Sequence, residues 1–145
     1  MVSLVLGSDH GGFELKERLK QHLIQTHPEV EVVDLGTHST ASVDYPDFAK
    51  SVAHAILGGK AALGVLVCGT GIGISIAANR FDGIRAALVH NAFTAEMAKA
   101  HNNANVLCLG GRTTEPDLAC QLVDIWLKTP FEGGRHQGRL DKLRV

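Results

Sequence analysis

Short apolar runs alternate along this chain with longer segments of helical period, and that alternation leaves few folds open. The runs are Val2 to Leu6, Val30 to Leu35, Leu63 to Val67, Ile84 to Val89 and Asn105 to Leu109. Between and after them, apolar residues recur four apart: Leu15, Leu19 and Leu23, then Phe48, Val52 and Ile56, then Leu118, Leu122 and Trp126. Further helices are expected after Cys68, through about Phe81, and near Ala92 to Ala100. Strands that are apolar along their length are covered on both faces, which a parallel sheet with helical crossovers achieves. The pattern predicts an α/β fold: a Rossmann-like, doubly wound sheet of about five parallel strands in a three-layer sandwich. Residues 1–145 suffice for one such domain. Asp44 and Pro46 supply a helix start, and Thr114-Glu115-Pro116-Asp117 resembles a capping box for the last long helix.

Composition narrows the function classes. A net charge of -1 gives no electrostatic case for nucleic acid or membrane partners. No apolar run is long enough to span a bilayer, and Met1-Val2-Ser3 lacks the layout of a signal peptide, so a cytoplasmic location is expected. Three scattered cysteines fit reduced thiols better than a disulfide framework.

In open α/β sheets, ligands bind outside the carboxyl ends of the strands. The residues after Leu6, Val67 and Leu109 are therefore the places to look. Cys68-Gly69-Thr70-Gly71-Ile72-Gly73 follows the third run. Its alternating glycines let the backbone turn tightly and converge N–H groups on an anion, where a thiol is readily stabilised as thiolate. Position 74 is Ile where the dinucleotide fingerprint needs a third glycine, and no Lys-Ser/Thr pair makes a phosphate loop. Cys108 and Cys120, inside an apolar strand and a helix, read as small hydrophobes. Asp9-His10 follows the first run; Asp9 can also cap the next helix. His101, ahead of the fifth run, is suited to proton exchange near neutral pH, whereas Asn102 and Asn103 read equally well as turn formers. Arg135 and Arg139, four apart, suit a phosphate if helical and a solvated tail if not. No His/Cys/Asp cluster stands at metal-ligand spacing.

Five blocks in this order resemble the type B ribose-5-phosphate isomerases, within the wider family that includes the galactose-6-phosphate isomerase subunits. The blocks are Gly7 to Phe13, Asp44-Tyr45-Pro46, Cys68 to Asn79, His101 to Val106 and Glu132 to His136. The resemblance covers nearly the whole chain. It implies an aldose–ketose isomerase acting on D-ribose 5-phosphate without cofactor or metal. Cys68 would be the base that shuttles a proton between C1 and C2, and His101 would assist ring opening. Thr70 and Asp44 would contact sugar hydroxyls or aid proton transfer. His10, Arg112, Arg135 and Arg139 would hold the phosphate, and Asp9, Tyr45, Gly69, Gly71, Ile72, Gly73 and Asn102 would line the substrate. Some relatives use a Glu within the glycine loop as base; the matching position here is Ser75, which places this chain with the cysteine-using branch. The resemblance also implies a homodimer or homotetramer with active sites shared between subunits.

Two rivals follow. A hexose 6-phosphate, such as allose or galactose 6-phosphate, would need the same chemistry; the presence of Cys68, His101, Arg135 and Arg139 in one chain favours a self-sufficient homo-oligomer on a pentose. A non-catalytic sugar-phosphate-binding module is disfavoured by a cysteine and a histidine placed at one crevice, because binding a phosphate needs neither.

Overall fold

The computed structural model describes residues 1–144. Five strands form one parallel sheet: β1 (Val2–Ser8), β2 (Val30–Asp34), β3 (Leu63–Cys68), β4 (Ala86–Leu88) and β5 (Val106–Gly110). Their order across the sheet is β2-β1-β3-β5-β4. Leu4 lies opposite Val32 and Leu63, Leu66 opposite Cys108, and Cys68 opposite Gly110. Among the described residues there are also six α-helices: α1 (Phe13–Thr26), α2 (Tyr45–Leu57), α3 (Ile72–Ala78), α4 (Ala92–Ala100), α5 (Pro116–Lys128) and α6 (Arg135–Asp141).

The strand order dictates which face each helix covers. The steps β1 to β2 and β4 to β5 run one way across the sheet; β2 to β3 and β3 to β4 run the other. Right-handed crossovers then put α1 and α4 on one face and α2 and α3 on the opposite face. The core divides accordingly. Leu15, Leu19 and Leu23 of α1 pack with Leu122 and Trp126 of α5 and Ala95 and Ala98 of α4 beneath one face. Ala49 and Val52 of α2 pack with Ile74 and Ala78 of α3 beneath the other. Each fully buried Leu, Val or Ile contributes about 1.5–3 kcal/mol over leaving it exposed.

The expected three-layer α/β sandwich is present, with differences at the element ends. The fourth strand is only three residues long, and α3 stops at Ala78 rather than near Phe81. Asn79 accounts for the stop: its side chain donates to the Ala86 carbonyl and accepts from the Ala86 N–H, both at 2.8 Å, pinning the helix end to β4. Thr114 forms no capping box, since α5 begins with Glu115 as its cap and no side-chain cap bond. The capping box instead opens α4, where Asn91 and Thr94 bond each other's backbone N–H. Arg135 and Arg139 do sit on a helix, α6. No helix among the described residues is long and apolar enough to cross a membrane.

Candidate functional site

The carboxyl ends of β1, β3 and β5 meet at one crevice, where the sheet reverses winding direction between β1 and β3. The loop after β3 is its floor. Cys68 is 5% exposed, and the N–H of Gly71 donates to its Sγ at 3.1 Å. Gly71 adopts a φ of 78°, and a β-carbon there would strike Leu88 and the Leu109 backbone, so only glycine serves. Thr70 Oγ1 accepts from the Ile72 N–H at 3.2 Å. Two strand-end turns are stitched together: Gly111 N–H donates to the Cys68 carbonyl at 2.8 Å and Arg112 N–H to the Gly69 carbonyl at 2.9 Å.

These bonds hold Arg112 over the glycine loop. A β-carbon on Gly69 would lie 2.9 Å from Arg112 Nη1, and one on Gly11 would lie 3.3 Å from Nη2. The guanidinium therefore spans the junction of the two loops. Asp9 accepts from the Gly12 N–H at 3.1 Å, acting as the cap of the short 3-10 turn His10–Gly12. His10 accepts from the Val43 N–H on Nδ1 at 3.2 Å, which leaves Nε2–H as donor in the neutral ring. Val43 leads into Asp44, the cap residue of α2, and the Tyr45 ring packs directly on Gly73. Asp9, His10, Asp44, Tyr45, Cys68, Gly69, Thr70, Gly71, Ile72, Gly73 and Arg112 thus gather at one end of the sheet.

The remaining expected residues do not join them. His101 caps the carboxyl end of α4 and, with Asn102, precedes β5, so both lie at the amino end of the sheet. Cys68 is level with Gly110, at the far end of that same strand. Four strand rises of about 3.3 Å separate Val106 from Gly110, roughly 13 Å. The expectation that a cysteine and a histidine share one crevice is therefore corrected within a single chain: in a parallel sheet a loop leading from a helix into a strand falls at the amino ends of the strands, and His101 stands in such a loop. Arg135 and Arg139 accompany His101. The Glu132 N–H donates to the Ala100 carbonyl at 3.0 Å, which docks α6 beside the His101 loop. His136, on α6, stacks on His101 with ring centroids 4.2 Å apart. Glu132 Oε1 lies 3.6 Å from His101 Nε2 and 3.4 Å from His136 Nε2. Among the described residues, no ion pair engages Arg112, Arg135 or Arg139, so all three guanidiniums remain available to an anion.

Glu132 and His136 drew no role from the sequence, because Gly133 and Gly134 interrupt what would otherwise read as one helical pair. A cleft of about 580 Å³ adjoins this second cluster, lined by Arg85, Asn102, Asn103 and Gln137 among others. It is not the Cys68 crevice. Trp126 turns out to brace the same region: its Nε1 donates to the Ala104 carbonyl at 3.0 Å, and Lys99 lies 4.9 Å over its ring. Burial lowers the pKa of Lys99 below its ordinary value. Burial also pushes the Cys108 thiol well up, with a smaller push from neighbouring Cys68, so Cys108 is an inert hydrophobe. Cys120 is likewise raised, chiefly by burial. Two groups of side chains have metal-ligand character, His101-Glu132-His136 and His22-His27-Asp124, and since His22 and His27 stand five apart and Glu132 and His136 four apart, the expectation that no cluster stands at metal-ligand spacing is corrected.

Fold and site together define a parallel α/β domain carrying two side-chain clusters, one with a thiol, a glycine loop and an arginine, the other with a histidine and two arginines. Residues 4–143 match the family model described as Ribose/Galactose Isomerase, and the chain belongs to that family. It is 46% identical over 143 residues to ribose-5-phosphate isomerase B of Escherichia coli, covering 99% of this chain and 95% of that one. Among solved structures, the type B ribose 5-phosphate isomerase of Thermotoga maritima superposes with a TM-score of 0.95 at 51% identity, covering 99% of this chain and 97% of that one. The Mycoplasma genitalium ribose-5-phosphate isomerase B, solved with bound ribulose-5-phosphate, gives 0.91 at 45% identity, covering 97% and 93%.

Proposed function

We propose that this protein interconverts D-ribose 5-phosphate and D-ribulose 5-phosphate, working as a homo-oligomer in which each active site combines the Cys68 half-site of one subunit with the His101 half-site of another. The observation that carries the reading is the split itself: the residues needed to move a proton and those needed to open a ring stand at opposite ends of one sheet. A second copy related by a two-fold axis pairs opposite ends twice, giving two complete sites. Ile72 and Ile76 of α3 are 53% and 60% exposed, apolar side chains suited to such contact.

In this mechanism the phosphate enters with its charge met by Arg112 and His10 from one subunit and Arg135 and Arg139 from the other. His101, oriented by stacking on His136 and by Glu132, moves the proton that opens the furanose. Asn102, Asp44 and Tyr45 fix the open chain. Cys68 takes the proton from C2 and returns it to C1. The enediolate oxygen needs preorganised donors. Gly71 and Ile72 spend their N–H groups on Cys68 and Thr70, so Gly69, Thr70 and Gly73 supply the oxyanion bonds. The same chemistry at the cytoplasmic metabolite pool requires no resident cofactor.

The deciding assay follows ribose 5-phosphate to ribulose 5-phosphate with a chelator present and allose 6-phosphate in parallel. Turnover of the pentose that survives chelation is expected. Turnover of the hexose alone would move the substrate assignment, and turnover of neither would remove the isomerase reading.

A further inference from the structure

Far from both half-sites, the end of α1 meets α5 in an arrangement that the isomerase chemistry does not use. His22, one turn before the end of α1, and His27, just beyond it, both direct Nε2 at Asp124 of α5. The distances to Asp124 Oδ1 are 2.7 Å from His22 and 2.6 Å from His27, and the three donor atoms all lie within 4.8 Å of one another. On its other side, His27 Nδ1 sits 2.9 Å from Glu29 Oε1. His22 and His27 thus present their Nε2 atoms to one carboxylate oxygen from the end of α1, with the Glu29 carboxylate behind the second ring.

From this convergence we infer that His22, His27 and Asp124 form a binding site for a divalent transition-metal ion of the zinc class. Two imidazoles and a carboxylate are the donor set such an ion takes, and three protein ligands leave a fourth position for water. Glu29 behind His27 supplies the outer carboxylate that usually holds a metal-bound imidazole in place. A tetrahedral ion with bonds of about 2.0–2.1 Å spaces its ligands about 3.3 Å apart, so the Asp124 carboxylate swings back by about 0.6 Å on loading. Nothing blocks that movement, because the Asp124 side chain is 38% exposed and the two rings 16% and 17%. An ion there ties α1 to α5 across one face of the sheet. Its place at the amino end of β1 and β2 separates it from the Cys68 crevice, so an ion there acts on the packing of the helices. The second histidine cluster, at His101, belongs to the half-site already described.

Calorimetric titration of Zn²⁺ into the chelator-stripped full-length protein tests this, with Cys68→Ser as the background so that the reactive thiol does not compete. One ion per chain should bind, with Mg²⁺ failing to displace it. Asp124→Asn and His22→Gln should each weaken this binding by about 100-fold or more, and Glu29→Gln by about 10-fold. The unfolding midpoint should rise with Zn²⁺ in the parent and not in Asp124→Asn. If Asp124→Asn fails to fold, His22→Gln carries the comparison, because a substitution on α1 leaves α5 intact. Equal Zn²⁺ affinity in parent and variants would place the ion elsewhere and overturn the site. Absence of binding at about 1 mM Zn²⁺ would do the same and reduce the cluster to an imidazolium–carboxylate clamp.

Discussion

At the scale of the residue, position relative to the glycine loop separates three cysteines of identical chemistry. Cys108 and Cys120 are buried thiols raised by their surroundings, whereas Cys68 receives a backbone N–H at the mouth of the crevice. Replacing Cys68 by Ala should lower kcat by about 10²- to 10⁴-fold, the usual worth of a positioned base, and leave ribose 5-phosphate binding intact. Steady-state kinetics with a calorimetric titration of substrate checks both halves; full turnover in the variant would end the base assignment. Trp126 had only core packing to recommend it in the sequence, since no periodicity announces that an indole N–H meets a carbonyl in a loop. Trp126→Phe should cost about 1–3 kcal/mol by leaving the Ala104 carbonyl unpaired, measured by denaturant unfolding. The loop it braces carries His101, so the same variant should lose turnover beyond what its stability loss explains.

Among the elements, α1 and β2 are joined by a buried charge. Lys16 is fully buried, bonded to Asp34 Oδ2 at 2.7 Å and Glu17 Oε1 at 2.8 Å, and the half-exposed Lys20 adds a third contact at 3.2 Å. Burial alone would raise the Asp34 pKa; the bonds from Lys16, the Gly36 N–H and Lys20 outweigh it and hold the carboxyl below its ordinary value. Because the folded value is depressed, Asp34 contributes stability above the unfolded carboxyl value near 4, and that contribution is lost as pH falls through the lower folded value. Asp34→Asn should cost about 3 kcal/mol at neutral pH, because buried Lys16 then keeps only the partly exposed Glu17 as its ionic partner. It should also flatten the acid side of the stability profile, read from urea unfolding between neutral pH and pH about 3. An unchanged acid slope would contradict the pairing. A buried Lys at this position was invisible in the sequence, because the four-residue apolar stripe of α1 is drawn by its leucines alone. Element types were legible because a period of 3.6 set against continuous apolar runs is a strong contrast. Element ends were not: Thr114 offered a capping pattern that the Glu115–Pro116 start makes redundant, and Asn79 terminates α3 through a bond to a strand seven residues away.

For the molecule as a whole, the parallel sheet and its two helical layers followed from the sequence, but the strand order did not. The insertion of β5 between β3 and β4 brings Gly110 level with Cys68, and so puts Arg112 over the glycine loop. His101 lies at the opposite end because its loop leads from α4 into β5, whatever the strand order. Local sequence marked nearly every residue of the candidate site, and their division into two groups follows from the parallel sheet, which puts strand-to-helix loops at one end and helix-to-strand loops at the other. The exposed Ile72 and Ile76 of α3 then gain a purpose in the proposed shared site. Ile76→Glu should shift the protein toward monomer in sedimentation and remove activity with the fold retained, since a lone chain holds no complete site.

Subunit complementation addresses the shared site directly. Cys68→Ala and His101→Ala proteins, each inactive alone, are unfolded together, refolded as a mixture and assayed on ribose 5-phosphate. If each site draws Cys68 from one subunit and His101 from another, half of the dimers are mixed and each carries one intact site, so about a quarter of the parental activity should return. A mixture as inactive as its two components would mean that both residues act from the same chain, and the two-half-site account would be wrong.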